Sequence, residues 1–242
     1  MELALLSLLT LVASFIAGVA GFGYAVFLMS FFPLILGVKT ANVLVSLSGM
    51  AISIYMFVPL RHHVRWGVVA RVLAGMALGI PAGMWVLVKA DERLLTIVLG
   101  VFILLYILYE LLFRHRKGER TPLYLGYGAG FLGGAFAGSI SAGGPPVVAF
   151  LSALDLDKHA AKASILAFII VTSFYKLLFL AFLDLITRKI VWYTAVLIVP
   201  SFIGMFVGKA VFNRLSSEAF RRVVLGILFA ASAIIILKGV TG

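Results

Sequence analysis

Apolar residues run through this chain in blocks of membrane-spanning length, and polar residues are confined to short joints between the blocks. Taking the joints as boundaries predicts ten helices. Five cover roughly 3–20, 24–36, 41–60, 67–88 and 92–112, and five more cover roughly 122–140, 145–154, 160–183, 190–212 and 218–238. Two glycine-rich interruptions, Gly18–Tyr24 and Gly138–Pro146, break this pattern inside the apolar blocks. The segments that follow them are too short to span comfortably, because a hydrocarbon core of about 30 Å needs about 20 helical residues. Lipid cannot satisfy freed backbone N–H and C=O groups, so broken backbone at this depth must be buried in protein or line a cavity.

Composition agrees with the pattern. Hydrophobic residues make up 63% and charged residues 12%, against about half and a quarter in ordinary soluble domains. The chain therefore reads as an all-α polytopic membrane protein with no room for a soluble domain. Its net charge of +11 lies mostly in the joints, where Lys and Arg orient spans and meet anionic headgroups of membrane lipid. No basic stripe interleaved with aromatics appears, which excludes nucleic acid as a partner. The absence of cysteine excludes disulfides, thiolate metal sites and a cysteine nucleophile. Met1-Glu2 offers no basic start to a signal peptide, and the first block belongs to an internal repeat, so it is expected to stay in the mature protein.

That repeat divides the chain in two. Gly18 and Gly23 match Gly138 and Gly143, Lys39 matches Lys158, and Ser53 and Tyr55 match Ser173 and Tyr175. Farther on, Trp66 matches Trp192, and Gly79 and Gly83 match Gly204 and Gly208. The expected organisation is a first membrane repeat over 1–113, a cytoplasmic linker over 114–121 and a second repeat over 122–242. Each repeat holds a glycine-broken helix pair followed by three transmembrane helices. If each pair returns to its starting side, the repeats have inverted topology. Thirteen Lys and Arg, from Arg61 to Arg222, then lie on the cytoplasmic side, against six outside: Lys39, Lys89, Arg93, Arg188, Lys189 and Lys238. A single crossing per pair makes the repeats parallel and splits the charges ten to nine. The positive-inside rule selects the inverted arrangement. Glycine rows at four-residue spacing, Gly126 to Gly138 and Gly75 to Gly83, read as close helix-packing surfaces.

The breaks are also where chemistry is expected. A helix restarting after glycine presents N–H groups without intrahelical partners, at the positive end of its dipole. Two such ends brought together by inverted symmetry near the midplane make an anion site. The candidate binding residues are Gly21, Phe22, Gly23 and Tyr24 at the first break, and Ser139, Ser141, Gly143, Gly144 and Pro145 at the second. Lys176 joins them as the one basic residue well inside a predicted span, where a cation normally faces a cavity or a partner. Asn42 is a weaker candidate, with Ser46 and Ser164, and Tyr55 and Tyr175 could reach the same cavity. An intramembrane serine enzyme would need a base near Ser139 or Ser141, yet His62, His63, His115 and His159 all lie in joints or at helix starts. No span carries a carboxylate pair or a metal-binding cluster, and no cofactor motif is present.

Taken together, Gly18-x-x-Gly21-Phe22-Gly23, its counterpart Gly138…Ala142-Gly143-Gly144-Pro145, and the Leu-rich segments ending near Lys39 and Lys158 resemble the sulfite exporter (TauE/SafE) family over essentially the whole chain. The family typically carries a fuller glycine run at each break, whereas Tyr24 and Ala25 stand there in the first half. The resemblance implies a secondary transporter for sulfur-containing anions, such as sulfite or organosulfonates, in a prokaryotic inner membrane. A passive anion channel on the same fold is the alternative. Without a nucleotide-binding motif, the driving force is expected to be a substrate or ion gradient, with protons a candidate and no proton carrier identified. One repeat would move against the other, and a homo-oligomer is compatible with this reading. The residues themselves indicate an anion; only the resemblance indicates sulfur.

Overall fold

The computed structural model describes residues 2–20, 22–112, 121–154, 156–211 and 217–241. Ten α-helices follow one another: α1 Glu2–Ala20, α2 Tyr24–Leu36, α3 Val38–Phe57, α4 Trp66–Lys89, α5 Glu92–Leu112, α6 Leu125–Ile140, α7 Gly144–Ala153, α8 Lys158–Phe182, α9 Arg188–Val211 and α10 Ser217–Thr241. A 3-10 turn, Val58–His63, extends α3. The bounds lie within a few residues of those expected, and the protein is a polytopic helical membrane protein. Among the described residues, six helices are long and apolar enough to cross a membrane. With 13 and 10 residues, α2 and α7 reach only about 20 and 15 Å at about 1.5 Å per residue.

The helix starts are fixed by few polar groups. Asp157 caps α8 by accepting from the N–H groups of His159 and Ala160 at 3.0 and 2.9 Å. These bonds, that from Ala160 first, hold its carboxyl below the usual carboxylate range. The start of α3 borrows its cap from α5, where Glu92 accepts from the N–H groups of Val38 at 2.8 Å and Lys39 at 3.2 Å.

Helix pairings give the hand of the repeat. The equivalent helices α5 and α10 pack antiparallel: a side chain on Gly100 would meet Ile236, while Arg93, a turn or two earlier, donates to the carbonyls of Gly239 and Val240. The equivalents α3 and α8 also run antiparallel. Ser46, in the first half of α3, shares Ser141 with Lys176 late in α8, whereas the Arg65 N–H beyond α3 reaches Ser164 early in α8. Equivalent helices that run in opposite directions make the repeats inverted.

The broken pairs therefore return. α2 ends at the face where α5 begins and α10 ends, since Lys238 donates to the Leu34 carbonyl. α1 begins at that same face beside the start of α9, where Tyr193 donates to Glu2. From the opposite face, α6 starts against Arg71, and α7 ends where Thr121 donates to the Ala153 carbonyl.

Glycine rows clamp the pairs in place. α6 lies parallel to α4, and a Cβ on Gly79 or Gly83 would overlap the carbonyl of Phe131 or Ala135. α1 lies parallel to α9 in the same way, with Gly204 and Gly208 against the carbonyls of Leu11 and Phe15. Backbones this close gain dispersion and Cα–H···O contacts, which substitute for the hydrophobic drive that lipid removes. Gly138 faces Ile80 and Met84, past the midpoint of α4. Gly18 faces Met205 and Gly208 in the second half of α9, and a cavity lies between the two breaks.

Candidate functional site: a cavity between the two breaks

At the second break, α6 ends on Ser141, whose φ of 54° lies in the left-handed region. A residue with a Cβ there costs roughly 1–2 kcal/mol, so its surroundings must hold it. Lys176 Nζ donates to Ser141 Oγ at 2.6 Å. That hydroxyl donates in turn to the Asn42 carbonyl at 3.0 Å and lies 3.2 Å from Ser46 Oγ. Ser46 donates to the same carbonyl at 2.6 Å. Asn42 Nδ2 meets the carbonyls of Gly138 at 3.2 Å and Ser139 at 2.9 Å, two of the last-turn acceptors that α6 cannot satisfy itself. α3 thus braces the second break, and α8 supplies its charge.

At the first break, Gly23 has φ 100° and opens α2. The first helical bond runs from the Phe27 N–H to the Gly23 carbonyl at 2.9 Å. The N–H groups of Tyr24, Ala25 and Val26 precede this ladder, and Gly23 has no side chain to cap them. The second break differs, because Pro145 and Pro146 follow Gly144 at the start of α7 and carry no N–H. Backbone donors belong mainly to the first break, side-chain donors to the second.

Between the breaks lies a cavity of about 110 Å³. Phe22, Gly23, Tyr24, Ser141, Gly143, Gly144, Pro145 and Lys176 line it, as do Ser46, Ser53, Thr172 and Ser173. Apolar walls come from Val26, Ile52, Met56, Leu166 and Phe168. Lys176 is 2% exposed and, among the described residues, is paired with no carboxylate. Thr172, one turn earlier on α8, is 5% exposed and its Oγ1 has no hydrogen-bond partner. Tyr24 is buried, its ring covering Gly49 and its hydroxyl 3.4 Å from Ser201 Oγ on α9.

Other expected residues lie elsewhere. Ser139 donates to the Ala135 carbonyl of its own helix at 2.7 Å and does not line the cavity. Asn42 stands behind Ser141 as a brace, with its Oδ1 buried and unpartnered. Tyr55 packs edge-on against Phe202 and Phe206, Tyr175 reaches the Ala77 carbonyl, and Ser164 serves Arg65. Gly21 lies outside the described residues. Thr172 escaped the sequence reading, although its spacing of four from Lys176 puts both on one helix face. No cluster of three metal-ligating side chains forms among the described residues.

Inverted halves, broken helix pairs entering from opposite faces and a buried lysine beside a cavity are the parts of a membrane transporter. Residues 6–235 match the family model described as sulfite exporter TauE/SafE, and the chain belongs to that family. No curated protein and no solved structure matches the chain.

Proposed function

We propose that the protein is a secondary transporter for small sulfur-containing anions, bound in the cavity between the two breaks. One observation carries this reading: Lys176 faces the cavity buried, with a single hydroxyl as partner and no carboxylate paired with it among the described residues. An uncompensated ammonium at this depth costs several kcal/mol, so such residues mark substrate or ion paths. An anion in the cavity supplies the missing charge. The uncapped N–H groups of α2 aim a partial positive charge at the same space. At about 110 Å³, the cavity has room for a handful of non-hydrogen atoms; a cavity of about 150 Å³ accepts benzene.

Family membership supports sulfur chemistry and a bacterial or archaeal cell membrane; the electrostatics support an anion. Pairs that enter from opposite faces support alternating access, and a gradient of substrate or protons would drive it. The test is a binding screen of sulfite, thiosulfate, sulfoacetate, taurine and sulfate on purified protein, followed by counterflow in proteoliposomes. A carrier gives saturable uptake stimulated by trans anion. Electrodiffusive current without saturation indicates a channel, and failure of every anion to bind sinks the reading.

A further inference from the structure

Lys176 is buried with one protein acceptor and, among the described residues, no carboxylate to balance an ammonium group. An ammonium presents three N–H donors and no acceptor. Here Nζ has one acceptor, Ser141 Oγ at 2.6 Å, whose own proton is committed to the Asn42 carbonyl. The loaded cavity differs, because an anion brings both a counter-charge and oxygen acceptors. Building on the transport reading above, we propose that Lys176 is the coupling site. Nζ is a neutral amine in the anion-free protein, takes one proton from water as the anion binds, and returns it when the anion leaves. The new N–H bond forms with the amine lone pair. A monoanion then crosses the membrane with its charge balanced.

Among the described residues, Tyr24 is the only other titratable side chain that lines the cavity. The elements packed against α8 are α3, the 3-10 turn, α4, α6 and α7. Lys39 on α3 donates to the Val88 carbonyl at its own end of the helix, and Tyr55 packs on α9. Arg71 on α4 donates to the Gly67 carbonyl, while Lys89 on α4 and Tyr127 on α6 are exposed. Arg61, His62 and His63 are exposed on the 3-10 turn, near the far end of α8, and α7 carries no titratable residue. On α8 itself, His159 stacks on His63 and Lys162 sits one turn further along, both at the far end of the helix from Lys176 and off the cavity, and Tyr175 turns to the Ala77 carbonyl. Across the cavity stands Tyr24, a phenol engaged with Ser201.

The experiment uses the full chain in nanodiscs with methanesulfonate and thiosulfate, whose charges stay fixed through the neutral range. Binding is measured by calorimetry in buffers of differing ionisation enthalpy, which counts protons. The expected result is uptake of about one proton per anion on the alkaline side, with affinity falling about tenfold per pH unit there. Lys176→Arg, a permanent cation, is expected to bind without proton uptake and with a flat pH profile. Binding by the wild type with no proton exchange at any pH overturns the coupling and leaves anion transport standing. Retained uptake in Lys176→Arg assigns the proton elsewhere and also overturns it. If neither probe binds and the screened anions also fail, the transport reading falls and the coupling with it.

Discussion

The two halves share a scaffold and diverge at the cavity. At one constant offset along the chain, Gly23 pairs with Gly143, Ser53 with Ser173, Ile52 with Thr172 and Met56 with Lys176, and all eight residues line the cavity. The first half places Ile52 and Met56 where the second has Thr172 and Lys176. In exchange it offers three uncapped backbone N–H groups, where the second half has two prolines. The fold is two-fold and the site is not. Duplication supplies the crossing geometry, while one half supplies charge and the other supplies backbone dipoles and shape.

Making the second wall like the first is the strongest way to break this comparison. Lys176→Met copies the first-half residue, and anion affinity is expected to fall roughly 10- to 100-fold, the worth of about 1.5–3 kcal/mol for a charged hydrogen bond. Stability should hold or rise, since replacing a buried charge with an apolar side chain of similar volume is often neutral or stabilising. Unchanged affinity by calorimetry would remove Lys176 from the site. The scaffold makes the opposite prediction, that equivalent changes act equally. Gly83→Ala and Gly208→Ala each push a methyl into a facing carbonyl and should each cost about 1–3 kcal/mol, with similar drops in thermal midpoint. A large difference between them shows that the seams are not equivalent. Smallest of the three is Thr172→Val, which makes that position resemble Ile52. Affinity should weaken a few-fold, in line with about 0.5–1.5 kcal/mol for a neutral hydrogen bond, with little change in stability. No change in affinity means the hydroxyl does not reach the anion.

Much of this was legible in the sequence. Apolar block length gave helix bounds, and the Lys and Arg distribution gave the inversion that the α5–α10 and α3–α8 pairings display. Lys176 and the breaks stood out because polarity or glycine at depth is rare in lipid. Helix rotation was not legible. A helix buried in lipid and protein is apolar on every face, so periodicity does not tell which side meets a cavity. That is why Thr172 was missed, and why Tyr55 and Tyr175, matched in sequence, pack on α9 and α4 instead. Ser139 and Asn42 illustrate a second limit. A polar side chain near a break can satisfy the backbone of the break itself, and only coordinates separate that role from ligand contact.

The glycine seams carry one more consequence. They join α6 to α4 and α1 to α9, so each half lends its opening helix to the other half. The two sequence halves are therefore interlocked, like clasped hands, and cannot rock apart as independent bodies without tearing both seams. The same clasp implies that a chain cut in the linker should still assemble from two co-expressed fragments.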